Sequence, residues 1–381
     1  MKKVLLTAGL CMLVTVSFAQ KKAVKDAKSA MNSKNFTEAR SLIKPALTNS
    51  ETANDPDAWK TAGDIENKAY EEENLKQLTQ KSFDEGAMYD ALLNSYAPYL
   101  KADELGQIPD EKGKVKNKVR KDIASIMKAN QAGFINGGVY SNNQQNFAKA
   151  SEFFEKYWEI PSLPMFADDK NAFNTNDSTF QTIKYYAAIC AIQAKDDQRA
   201  IKLLKKISEE PFTPNSTYKE SDVYELLAAE YEQVNDSVNF IALLETSAEK
   251  FPKNKYFLPN LINQYIKKGQ TDKALAYLDK AIANDPSSSC DMYSVKASLY
   301  AEKKEFEKAD GIYNTALNAD PNCERALEGL AVSYIVQAQN IKEEAGNVSA
   351  AKDRAILDDK AKELYTKAVP LLEKYKDILV A

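Results

Sequence analysis

The sequence resembles itself at a fixed interval. A segment beginning near Lys255 carries Leu258, Leu261, Ile262, Tyr265, Ala274, Leu278, Ala281 and Pro286. A shift of 35 residues gives Tyr293, Lys296, Ala297, Tyr300, Ala309, Tyr313, Ala316 and Pro321. A shift back by 34 gives Tyr224, Leu227, Ala228, Tyr231, Phe240, Leu244, Ser247 and Pro252, and 34 beyond Tyr293 stand Leu327, Leu330, Ala331 and Tyr334. A unit this short cannot bury its own apolar face. Repeated units must therefore stack on one another, which selects a linear repeat architecture.

The spacing inside each unit says what is stacked. Large residues three, four and seven apart form one face of a first helix. A short turn such as Lys268-Gly269-Gln270-Thr271-Asp272 follows, and an alanine opens the face of a second helix. The alanine is small because two helix backbones approach there, and an aromatic or Leu four residues later fills the gap between hairpins. Asp285-Pro286 and Asp320-Pro321 stop the second helix, since proline cannot continue the hydrogen-bond ladder. Only 12 glycines and 13 prolines in 381 residues argue against a fold cut by many tight turns. The expected class is all-α, an α-solenoid of helical hairpins.

The pattern resembles the tetratricopeptide repeat, a helix–turn–helix unit. It is seen most fully in Glu305-Phe306-Glu307-Lys308-Ala309 followed by Tyr313, Ala316, Asp320 and Pro321. Looser copies carry Ala27, Ala30, Phe36, Ala39, Ile43 and Ala46, then Trp59, Ala62 and Gly63. Others carry Phe134, Gly137, Gly138, Phe147, Ala150, Phe154 and Tyr157, then Lys184, Ala187, Ala188, Ala200, Leu204 and Ile207. About eight hairpins result, degraded between Tyr70 and Lys121. Insertions fall from Pro161 to Thr179 and around Pro211 and Pro214, and Asp103 to Lys114 reads as a loop. Extra charged residues from Ile341 to Asp359 lengthen the last hairpin. The expected organisation is 1–19 signal, 20–112 irregular hairpins, 113–222 central repeats with insertions and 223–381 regular repeats.

Residues 1–19 read as a secretory address. Lys2 and Lys3 precede an uncharged apolar run from Val4 to Val16, and Ser17-Phe18-Ala19 offers a cleavage site after Ala19. The run is too short to span a bilayer. Lipidation at Cys11 is disfavoured by the bulky Leu10 before it. No later segment is apolar enough to cross a membrane, so the expectation is an exported protein, in the periplasm, at the outer membrane or outside the cell. Cys190, Cys290 and Cys323 then remain. They match no zinc or CxxC motif and read as small apolar fillers, with a Cys290–Cys323 bridge as the alternative if their helix ends meet.

Chemistry is sparse. The chain has no histidine, which removes the commonest general base and zinc ligand. No phosphate-binding glycine loop, dinucleotide fingerprint or nucleophile elbow is present. Gly137-Gly138 sit inside a first helix, where close packing explains them. Glu209-Glu210 and Asp168-Asp169 lack calcium-loop spacing and read as solvated surface. Lys112 to Lys121 is basic, but Val115, Val119, Ile123 and Ile126 interleave at helical spacing, so it reads as a helix with a solvated basic face. The net charge of −4 gives no global attraction to nucleic acid. No enzyme, cofactor or metal is expected.

The resemblance implies a concave groove lined by first helices. In the repeat register its inward residues include Tyr185, Ile189 and Ile192, then Glu225, Ala229, Glu232, Tyr256, Asn263, Ile266 and Lys267. The first three are apolar enough to seat a peptide, unless the insertions fold back over them. Chaperone-binding relatives grip a carboxylate at such places with Lys and Asn. Tyr185 and Ile189 stand there instead, so that activity is not carried over. Asp177-Ser178-Thr179 and Asp236-Ser237-Val238 fit an O-glycosylation sequon with Ser178 and Ser237 as acceptors, or are ordinary turns. The expected role is a non-enzymatic scaffold for protein partners in the bacterial envelope. A glycan- or peptidoglycan-binding module is the alternative, and an enzyme the more distant one. In Tyr185-Tyr186 and Tyr157-Trp158, one ring of each pair is expected to pack inside.

Overall fold

The structure is a computed structural model and describes residues 21–169, 172–175, 177–284 and 289–380. Residues 1–19, read above as a secretory address, and Asp285-Pro286 lie outside these. Every regular element among the described residues is helical. They are α1 (21–32), α2 (Phe36–Ile43), α3 (Pro56–Leu78), α4 (Glu85–Gly106), α5 (Arg120–Asn143), α6 (Phe147–Glu159), α7 (Ser178–Gln193) and α8 (Asp197–Glu209). Then follow α9 (Glu220–Gln233), α10 (Ser237–Lys250), α11 (Phe257–Lys267), α12 (Thr271–Asn284), α13 (Ser289–Glu302), α14 (Phe306–Ala319), α15 (Glu324–Gly346) and α16 (Ala351–Val380). Short 3-10 turns cover Lys44–Leu47, Ile160–Ser162 and Pro164–Phe166. Successive pairs form eight hairpins, and the chain divides into two compact units after Val223, inside α9.

One turn is reused in seven of the hairpins. A single residue with positive φ closes the first helix: Lys34, Gln80, Gln145, Lys195, Asn235, Gly269 or Lys304. The N–H of the residue after it donates back across the turn, as Asn35 to Ala30, Asp196 to Ala191 and Gln270 to Tyr265. This is the closure of a helix C-terminus by a left-handed residue. In four of the seven the next residue is an Asn or Asp that caps the second helix: Asn35, Asn146, Asp196 and Asp236 accept from the backbone N–H three residues on. Only Gly269 takes the left-handed conformation without a side-chain penalty.

The alanine expected at each close approach is there. Ala39, Ala150, Ala200, Ala274, Ala309 and Ala361 are all fully buried. In the first unit glycine does similar work against rings. A Cβ on Gly137 would lie 2.6 Å from Phe153, and one on Gly138 would lie 2.3 Å from Phe154. Buried ion pairs reinforce this unit. Arg199 and Lys202 of α8 hold the buried Glu155 of α6. Arg120 grips Asp103 in a fork of 2.7 and 2.8 Å.

Three readings are corrected. Lys112 to Lys118 are not helical: the chain is irregular over 107–119 and α5 starts at Arg120. Gly113 takes φ +72°, Asp110 accepts from the N–H groups of Lys112 and Lys114, and Asn117 accepts from those of Val119 and Arg120. These local bonds outcompete the helix ladder. The loop expected to open at Asp103 therefore opens later, after Gly106. Cys290 and Cys323 are joined in a disulfide, and among the described residues only Cys190 is a free buried filler, with burial pushing its thiol up to about 11. Glu210 is not simple surface, because it pairs with Lys184.

Candidate functional site

In the second unit, the first helices α13 and α15 face each other across a cavity of about 400 Å3, floored by Phe306 and Tyr313 of α14. Ser298, Ala301 and Glu302 line it from α13. Arg325, Glu328, Gly329, Val332 and Val336 line it from α15. Small residues on both walls leave the space open. Gly329 also admits the Tyr313 ring, whose carbon would lie 2.4 Å from a Cβ there. Val332 is 49% exposed, an apolar side chain that lines the cavity from α15.

The walls are fixed from several sides. The Cys290–Cys323 disulfide joins the start of α13 to the N-cap of α15. Arg325 approaches Asp291 to 3.4 Å across the same gap. On α14, Asp310 accepts from Ser333 Oγ at 2.6 Å and from Gln337 Nε2 at 2.9 Å, which locks the floor to α15. The mouth is acidic: Glu302 and Glu328 stand exposed on it. Burial, then the charges of Asp310, Glu302 and Glu328, push the Tyr313 phenol up to about 12, so it stays protonated.

These residues continue the register expected from the sequence. Tyr256, Asn263, Ile266 and Lys267 move onto Asp291, Ser298, Ala301 and Glu302 with a shift of 35. A further 34 gives Arg325, Val332, Ile335 and Val336. The inward set therefore ran two repeats further than sequence reasoning carried it, and the same arithmetic would have found the rest.

The ten groove positions named from sequence fall on different units, with Ala229 exposed on α9 in the second. In the second, Glu225, Glu232 and Tyr256 come together: burial, then Glu232 and Glu225, raise the Tyr256 phenol, and Glu225 accepts from Asn254 Nδ2 at 2.6 Å. Asn263 and Lys267 are exposed on α11, and Ile266 is half-buried. In the first, Tyr185, Ile189 and Ile192 are half-buried on α7. There the second insertion folds back. Tyr218 stacks flat on Tyr185, with centroids 4.2 Å apart and planes 6° apart, and donates from its hydroxyl to the carbonyl of Gln181. Tyr185 is thus covered from within the chain. Trp158 is buried beside a half-buried Tyr157, while Tyr186 is 41% exposed. Ser178 and Ser237 are exposed first residues of α7 and α10, and Asp177 and Asp236 before them are N-caps. Capping accounts for both Asp-Ser pairs as local structure.

Comparison with known proteins gives the class. The tetratricopeptide repeat profile matches residues 265–288 and 291–323, which run from α11 to the start of α15. These two segments are similar to tetratricopeptide repeats, a class that serves as a scaffold for protein–protein contact. No curated protein matches it. Among solved structures it is similar to MamA of AMB-1, at 19% identity over 53% of this chain and 92% of that one, with a TM-score of 0.34. It is similar to YrrB, described as a TPR protein with an unusual peptide-binding site, at 16% over 55% and 97%, with a TM-score of 0.33. A TPR repeats protein of Bacteroides fragilis NCTC 9343 is similar at 18% over 64% and 89%, with a TM-score of 0.33.

Proposed function

We propose that this chain is a non-enzymatic scaffold that holds a partner protein in the groove between α13 and α15. The observation that carries this reading is the open apolar wall at Val332, Val336 and Ala301 beside a carboxylate-rich mouth. Such a site fits an apolar side chain next to a Lys or Arg on the partner. The apolar group supplies burial and the cation supplies orientation. The braced walls lower the entropy cost of closing on a ligand.

We also propose that it works in the bacterial envelope, periplasm first. Supporting this are the basic-then-apolar start of the sequence and the Cys290–Cys323 disulfide, a bond that persists in oxidising compartments. No helix among the described residues is long and apolar enough to cross a membrane. The native protein should begin at Gln20 by intact mass. A chain that keeps Met1 and free thiols would contradict export. For the groove, a photo-crosslinker at Val332 in intact cells should give a discrete protein adduct that is absent with the crosslinker at the exposed Val238. Equal adducts at both positions would contradict the assignment.

A further inference from the structure

The first unit holds a second cavity, of about 370 Å3, between α6, α7, α8 and the two inserted segments. It contains a buried cation. Lys184 of α7 keeps only 6% of its side chain exposed and pairs with Glu210, the C-cap residue of α8. Its ammonium also lies 4.7 Å from the centre of the Phe180 ring and 5.3 Å from that of Trp158. One turn before Glu210, Lys206 sets its ammonium 4.2 Å from the centre of the Trp158 ring, and no carboxylate among the described residues pairs with it. Gln181 is buried and spends its Oε1 on the Tyr218 hydroxyl at 3.3 Å, which leaves its amide N–H groups for a ligand.

The groups left over in this cavity are donors. Two ammoniums and a carboxamide stand against one carboxylate already shared with Lys184, for a net charge of +1 among the lining side chains. The Ser162 hydroxyl, which donates to the Glu159 carbonyl at 2.8 Å, is left as an acceptor, the Thr213 hydroxyl adds a second neutral partner, and Phe180 adds an apolar wall. The volume is near the lower end of small-molecule sites, about 300–1,000 Å3. That is room for one ring and too little for a chain of them.

We propose that this cavity binds a single sugar acid, with its carboxylate between Lys206 and Lys184 and its hydroxyls on Gln181, Ser162 and Thr213. Charge-assisted bonds from ammonium to carboxylate give the affinity, and the hydroxyl partners give the preference for a sugar body. This inference does not rest on the groove of the second unit.

The test is isothermal titration of the whole chain with D-glucuronate and D-galacturonate, beside glucose, acetate and inorganic phosphate. At least one sugar acid should bind at least tenfold tighter than all three comparison compounds. Lys206→Gln, at a half-exposed position, should weaken it about tenfold with an unchanged thermal melt. Glu210→Gln frees the Lys184 ammonium and should tighten binding severalfold. No binding of either sugar acid would overturn the proposal. So would phosphate, acetate or glucose binding as well as the sugar acid, or an undiminished affinity in Lys206→Gln.

Discussion

In the first unit Gly63, Gly133, Gly137 and Gly138 each leave room for an aromatic side chain, with a Cβ brought to 2.8 Å or less of it. In the second, Gly269 and Gly311 meet nothing within 4 Å, and Gly329 meets the ring of Tyr313. The hairpin turn is the same in both units, but the filling between hairpins differs. Regular repeats use one Leu, Ala and Tyr pattern at every interface, and their inward positions stay available. The irregular hairpins fill their gaps with rings, buried ion pairs and inserted chain. One of those inserted side chains, Tyr218, covers the inward Tyr185. Regularity keeps a surface open, and irregularity encloses smaller spaces such as the one around Lys184.

The largest expected effect lies in the second unit. Replacing Cys290 and Cys323 with Ala opens a loop of 33 residues and should cost about 3–4 kcal/mol by the chain-entropy estimate. Urea unfolding of the double variant measures it. A loss of stability centred on the first unit, seen by hydrogen exchange, would break the comparison. Next, Gly138→Val drives a branched side chain into Phe154 and should cost about 3 kcal/mol, read by the same titration.

Glu155→Gln should cost about 2 kcal/mol, because the ring of donors from Arg199 and Lys202 loses its acceptor charge. The sign with pH is fixed. Burial raises the Glu155 carboxyl, but the hydrogen bond from Lys202 and the charge of Arg199 outweigh it and hold it below its usual 4.5. Its contribution is therefore present above the ordinary carboxylate range and lost as pH falls through the depressed value. The variant should show a flatter decline of stability with acid than the parent. The smallest effect has the opposite sign. Gly311→Ala fills open space in the interior of α14 and should stabilise by about 0.5–1 kcal/mol, in contrast to every ring-facing glycine of the first unit.

Much of this was legible in the sequence, because the signal of a repeat is local and recurs. The helix pairs, the alanines at close approach, the packing role of Gly137 and Gly138 and the lengthened last hairpin all follow from spacing. The turns were harder, since six of the seven left-handed residues that close hairpins are Lys, Gln or Asn and only Gly269 announces itself. The stretch from Lys112 to Lys118 has helical spacing, and it was overruled by Asp110 and Asn117 bonding to their own backbone. At the site, the register was carried along α7, α9 and α11 and stopped short of α13 and α15. The Tyr218–Tyr185 stack and the Lys184–Glu210 pair join residues 26 or more apart through an insertion whose path no periodicity encodes.

The most direct test of the groove is a selection of displayed random peptides on the parent chain, repeated on Val332→Glu. Enriched peptides should place a Lys or Arg beside a large apolar residue, with binding weakened at least tenfold in the variant. Peptides without that pair, or peptides that bind Val332→Glu as well as the parent, would contradict the assignment.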